Sequence, residues 1–179
     1  GLSKQKADKL KKCKKRINKL DNEVEGLRNH LFYFIKILDE TSIIGSSFYI
    51  SILAYLTDIT QSLEYMAKKS LKHVENHHKP LKYNQIKDLT EIQGSISNVL
   101  SKIQVAFSND SYKELGIIIE EKESLLGLIS EKTDNQIKRT RSEESSPKNT
   151  ALYFNLLLES KDLVKSIFSV SEEYFNSAK

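Results

Sequence analysis

The segment HVENHH places His73 and His77 four residues apart, one helical turn, with Glu75 and His78 beside them. Imidazoles at that spacing can hold a divalent metal between turns, but spacing alone supplies two ligands where zinc sites need three or four. The alternative is that histidines suit the negative end of a helix dipole and a solvated loop. Acidic pairs are the next candidates: Asp39 with Glu40, Asp58 with Glu64, and Glu159 with Asp162 in LLLESKDLVKSI. Carboxylates from facing helices could chelate iron, zinc or magnesium. Lys161 and Lys165 flank the last pair, so these acids also read as solvated faces balanced by lysines. In RTRSEESSPKNT, Arg139, Arg141 and Lys148 stand by the expected start of a helix, a setting that could bind an anion such as phosphate. Glu143 and Glu144 lie in the same stretch and would cancel the arginines, which leaves a plain capped loop as the other reading. No phosphate-binding glycine loop, dinucleotide fingerprint, H-E-x-x-H, G-x-S-x-G or paired C-x-x-C occurs, and the sequence points away from an enzyme.

The strongest compositional signal lies in SKQKADKLKKCKKRINKL, residues 3 to 20. It holds Lys4, Lys6, Lys9, Lys11, Lys12, Lys14, Lys15, Arg16 and Lys19 against the single acid Asp8. These nine bases and one acid give +8, while the remaining 19 bases and 23 acids give −4. A sequence pI near 8.9 therefore hides a mildly acidic body with a cationic lead-in. Lysine meets phosphates as a hydrated point charge without the bidentate geometry that reads guanine, and no aromatic residues interleave, so nucleic acid is the weaker reading. A basic cluster beside a membrane is what the positive-inside rule expects, each charge contributing on the order of 1 kcal/mol at an anionic leaflet. A merely solvated helix face is the third reading.

Positioning these residues falls to helices. Leu10, Cys13, Ile17, Leu20, Val24, Leu27, Leu31, Phe34 and Leu38 alternate spacings of three and four, which predicts one long helix from about Ser3 to about Thr41. Ser46 or Ser47 is expected to cap a second, running to about Asn76 on Phe48, Ile52, Tyr55, Leu56, Ile59, Leu63, Met66, Ala67 and Ser70 before HHKP breaks it. A third carries Ile86, Leu89, Ile92, Ile96, Val99, Ile103 and Phe107. Ser111 and Glu114 form an S-x-x-E box for a fourth on Leu115, Ile118, Leu125, Ile129 and Ile137. Ser146 and Pro147 open a fifth bearing Phe154, Leu157, Leu158, Val164, Ile167, Phe168 and Phe175. Short loops force antiparallel neighbours, so the expected fold is all-α, an elongated up-and-down bundle of about five long helices. The lone Cys13 fits a reducing compartment, and no apolar run approaches the roughly 20 residues a bilayer span needs. Gly1 in place of Met suggests that the native chain begins further upstream.

From about Leu20 onward, LFYFIKILDETSIIGSSFYISILAYLTDITQSLEYMAKKSLKHVENHHKPLKYNQIKDL and QIKRTRSEESSPKNTALYFNLLLESKDLV resemble the PhoU-like domain at the cytoplasmic C-terminus of bacterial sodium/phosphate cotransporters. The resemblance implies a non-enzymatic helical bundle that regulates phosphate uptake at the cytoplasmic face of the inner membrane. Its partners would be the membrane-spanning transporter portion of the same native chain and the anionic membrane surface. Residues 1–19 would then be a membrane-proximal lead-in and 20–179 the bundle. PhoU proteins carry acid-x-x-x-acid motifs that hold iron or zinc; here the residue four on from Asp58 is Ser62 and four on from Glu159 is Leu163. Any divalent metal, iron, zinc or magnesium, implied by the resemblance would sit at these degenerate motifs, with Asp58, Glu159 and Asp162 as its ligands. The competing expectation is a free-standing interaction protein that forms a homodimer through the first-helix seam.

Overall fold

The computed structural model describes residues 1–37, 43–142 and 146–177. Among them there is no strand. A 3-10 turn, Leu2–Lys4, precedes six α-helices: α1 Ala7–Ile37, α2 Ile43–Glu75, α3 Tyr83–Ser108, α4 Tyr112–Ile119, α5 Lys122–Ser142 and α6 Pro147–Ser177. Five are long, as the spacing predicts; α4 is a short piece parted from α5 at Glu120 and Glu121. None is long and apolar enough to cross a membrane.

The last helix is the hub. α6 touches α2, α3, α4 and α5, and Tyr153, Leu157, Val164 and Phe168 along it are almost wholly buried. Small residues at Ser160 and Ser171 take inward positions on the same helix. Ring and side-chain contacts give the directions. Phe48 near the start of α2 meets Tyr174 near the end of α6, so these two are antiparallel. Asp88 and Phe107 of α3 meet Tyr153 and Tyr174, so α3 runs parallel to α6. α4 and α5 return antiparallel, with Lys122 beside Glu172 and Arg139 beside Asp88. Gly116 lets α4 approach closely, since a Cβ there would stand 2.9 Å from the Phe175 ring.

α1 is peripheral. Its one substantial neighbour is α2, and only Leu10 and Val24 along it are buried. Buried Thr60 of α2 donates from Oγ1 to Asp21 Oδ1 at 2.8 Å and ties the two helices in register. Two local expectations are corrected. Gly45, Ser46 and Ser47 lie inside α2, so neither serine caps it, and Ser111 precedes α4 without a side-chain capping bond. The boundary drawn at residues 19 and 20 falls within continuous helix; it divides charge, not fold. Leu38 and Thr41, expected at the end of the first helix, lie outside the described residues.

The two ends of the bundle are fastened differently. At one, Tyr174 receives the rings of Phe48 and Phe107 edge-on, with centroids 5.1 and 4.8 Å away. At the other, Asp88 Oδ2 accepts from Arg139 Nη2 at 2.7 Å and from Tyr153 Oη at 2.8 Å. Buried Lys132 donates to Glu91 at 2.9 Å and stands 4.0 Å from Asp88. Asn149 Nδ2 donates to the Pro80 carbonyl at 2.7 Å, joining the start of α6 to the chain entering α3.

The hydrogen bond to Glu91 raises the Lys132 pKa against the opposing effect of burial. Burial, helped by the bond to Asp88, raises that of the Tyr153 phenol. Both groups are therefore protonated in the fold, and their contribution is complete below the ordinary values of about 10 and is lost as pH rises through the folded values. Urea titrations should show stability declining above about pH 10. Asp88→Ala should cost about 3 kcal/mol at neutral pH, because it strands Arg139 largely buried. An unchanged midpoint would contradict the role given to this cluster.

Candidate functional site

The nine bases of residues 4 to 19 fall on the 3-10 turn, the residue before α1 and the first turns of α1. The chain start folds back as a hook: Gln5 takes φ of 49°, Lys6 N–H donates to the Gly1 carbonyl at 2.9 Å, and Leu2 packs on the core. From Leu10 the seam divides by heptad position. Leu10, Ile17, Val24 and Leu31 are buried or half-buried against α2, while Cys13, Leu20, Leu27 and Phe34 are exposed. One line of α1 is thus held, and the lysines occupy much of the rest. All nine bases are exposed except Lys14, which is half-buried and lies one turn from both Leu10 and Ile17.

Acids neutralise little of this charge. Lys11 pairs with Glu75 at 3.1 Å and Lys19 with Glu23 at 3.8 Å, both on the surface. Among the described residues the other seven bases make no ion pair. Exposed pairs of this kind contribute about 0–1 kcal/mol, so the face keeps most of its charge. Beneath it, Leu10, Cys13 and Ile17 line one wall of an apolar cleft of about 440 Å³ whose floor comes from α2 and α6 and whose far wall is α3.

The other sequence candidates separate. Asp58, Glu159 and Asp162 do come together: all three line one groove of about 600 Å³ between α2 and α6. They do not form a chelate, since among the described residues no three His, Cys, Asp or Glu side chains are arranged to hold a metal. Glu64 does not line that groove, and Asp39 and Glu40 lie outside the described residues.

The His73 and His77 spacing is corrected by the end of α2. The helix stops at Glu75, and His77 adopts φ of 53°. His77 N–H bonds the Val74 carbonyl at 3.1 Å and His78 N–H bonds the His73 carbonyl at 3.2 Å, the Schellman pattern that normally puts glycine at the left-handed position. His73 is buried and its Nε2 lies 3.0 Å from the Lys79 carbonyl, which can only accept, so that nitrogen carries the proton. His78 stacks edge-on against it at 5.1 Å. The histidines end a helix.

The anion candidates divide. Arg139 turns inward to Asp88; burial works against its charge, but the hydrogen bond and charge of Asp88 outweigh this and raise its pKa. Arg141 and Lys148 remain exposed, and Glu143 and Glu144 lie outside the described residues. The polar cluster that claims Arg139 was missed by sequence reading. Its signal was present in α5, where the inward stripe Leu125, Ile129, Lys132, Gln136 carries two polar residues at core spacing. Gln136 is buried, 3.4 Å from Gln85 of α3.

Against known proteins, the chain matches no family model, no curated protein and no solved structure.

Because His77 occupies a backbone region that disfavours a Cβ by about 1–2 kcal/mol, His77→Gly should stabilise the protein by about 1 kcal/mol in a denaturant melt. A loss of stability would show that the His77 side chain contributes more than its turn.

Proposed function

We propose that the chain is a non-enzymatic, PhoU-like regulatory bundle of a sodium-dependent phosphate transporter, seated on the anionic cytoplasmic face of the membrane through α1. The observation that supports this reading is the one-sided attachment of α1. Its held line packs on α2, and among the described residues five bases of the helix, Lys9, Lys12, Lys14, Lys15 and Arg16, have no acidic partner, nor do Lys4 and Lys6 in the hook before it. Each contributes on the order of 1 kcal/mol near anionic headgroups, and the attraction fades beyond a Debye length of about 8 Å at physiological salt. Regulation of phosphate uptake would then work through helix faces. A bundle fixed at the surface biases the transporter only by contacts that differ between transporter states.

Sedimentation with vesicles tests the surface role. The protein should pellet with vesicles containing phosphatidylglycerol, remain in solution with purely zwitterionic ones, and be released by high salt. Changing Lys9, Lys12, Lys15 and Arg16 together to Gln should abolish pelleting while leaving the helical circular dichroism intact. In bacterial cells, expression of the wild-type chain should alter uptake of radiolabelled phosphate and the Gln variant should not. Salt-sensitive retention on DNA with no vesicle binding would overturn the surface role, and unchanged uptake would overturn the phosphate role.

The exposed line Cys13, Leu20, Leu27 and Phe34 favours a second reading, an interaction protein that dimerises through α1. Leu27 is 54% exposed, whereas Leu31 is half-buried toward α2. Under this reading sedimentation equilibrium gives a dimer that Leu27→Asp converts to a folded monomer. A wild-type monomer excludes it.

A further inference from the structure

The groove between α2 and α6 has a construction that core packing does not explain. Two packed helices ordinarily turn apolar stripes toward each other. On this side, α2 presents Tyr55, Asp58, Ser62 and Tyr65. α6 answers with Glu159, Asp162, Ser166 and Ser169. Both sets follow the same three, four, three spacing, so two polar stripes run along facing helices and border about 600 Å³ of space.

The serines add an independent observation. Ser62 is 8% exposed and Ser166 is 9% exposed, and both line the groove. Several helical hydroxyls in the chain bond back to the carbonyl one turn earlier, as Thr57, Thr133 and Ser171 do. Among the described residues Ser62 and Ser166 make no such bond, nor any other. Neither oxygen is shut off from the groove, and the pair opens into it from opposite walls.

Charge defines what would fill it. Three carboxylates border the groove against one base, Lys165, whose Nζ lies 3.8 Å from Asp162. The surplus is negative, so the ligand is a cation. The carboxylates are not arranged as a chelate, and the space far exceeds that of a metal ion. Tyr55 and Tyr65 stand ten residues apart, about 15 Å along the helix, which suits an extended molecule. Aromatic faces attract ammonium groups, and Tyr65 already carries the Lys69 ammonium 4.9 Å from its ring centre.

We infer that the α2–α6 groove binds a linear organic polycation of the polyamine class. Its ammonium groups would meet Asp58, Glu159 and Asp162 and donate to the Ser62 and Ser166 hydroxyls, while its methylene segments lie along the tyrosine rings. This proposal is independent of the membrane reading, because the groove residues are separate from the basic face of α1.

Isothermal titration of the full chain with spermidine tests it. The expected result is saturable binding of one molecule per chain that persists when magnesium chloride is added at matched ionic strength. The double variant Asp58→Asn/Glu159→Gln should weaken binding by about tenfold, the loss of two exposed charge contacts. Ser166→Val, which removes one inward hydroxyl, should also weaken it, and thermal melts of both variants should confirm that they are folded. Non-saturable binding, full displacement by magnesium, or equal affinity in the folded variants would overturn the assignment. Stoichiometric zinc binding that excludes spermidine would overturn it in favour of a metal site.

Discussion

Burial of α6 is the constraint on which the rest of the structure depends. Four helices commit apolar surface to it, and their shared core includes Ile92, Val99, Leu115, Ile129, Leu157 and Phe168. What remains for α1 is the outer flank of α2, and that flank accepts one line of side chains. A helix held by one line keeps the greater part of its circumference in water. The dense lysines of residues 4 to 19 are thus compatible with the fold, because most of them avoid desolvation and mutual repulsion is relieved by solvent.

Around this hub the two bundle ends solve the same problem with different chemistry. The aromatic end closes by edge-to-face contacts around Tyr174 and needs no charge. The polar end brings Arg139, Lys132 and Tyr153 around Asp88, with Glu91 completing the balance. Buried ion pairs of this kind add little net stability relative to a well-packed apolar core, but breaking one is costly. Their geometry is directional. A one-turn slip of α5 along α3 would separate Arg139 from Asp88, which apolar contacts alone would tolerate more readily. The break at Glu120 and Glu121 lets α4 and α5 follow α6 as two segments, with Lys102 bridging α3 to Glu121 at 2.7 Å.

Much of this was legible because apolar spacing is a local property. The stripe of α3 follows the predicted residues, with Ile92, Val99 and Ile103 buried, whereas in α2 Ile52 and Ala67 are buried as expected but so are Thr60 and Ser62, which the apolar pattern passed over. α6 was read less well: Leu158 was expected inward and is 57% exposed, while Ser160 and Ser171 are buried. A helix enclosed on several sides chooses small residues where neighbours come close, and a hydrophobicity count passes over them. The polar cluster escaped for a related reason. Lys132 and Gln136 lie on an inward stripe, but their type suggests surface, and their partners are supplied by another helix. Asp58, Glu159 and Asp162 were grouped by type and family resemblance and do share a groove. His73 and His77 were grouped by spacing alone, and a helix end two residues earlier than His77 undid it.

The central claim is that the outward face of α1 carries the surface-binding charge while the α6 core stays unchanged. Hydrogen exchange measured by mass spectrometry, with and without vesicles containing phosphatidylglycerol, addresses it directly. The account predicts slowed exchange confined to the first turns of α1 and the hook before it, with α6 unaffected. Slowed exchange centred on the α5–α6 junction near Arg141 and Lys148, with no change in α1, would contradict it.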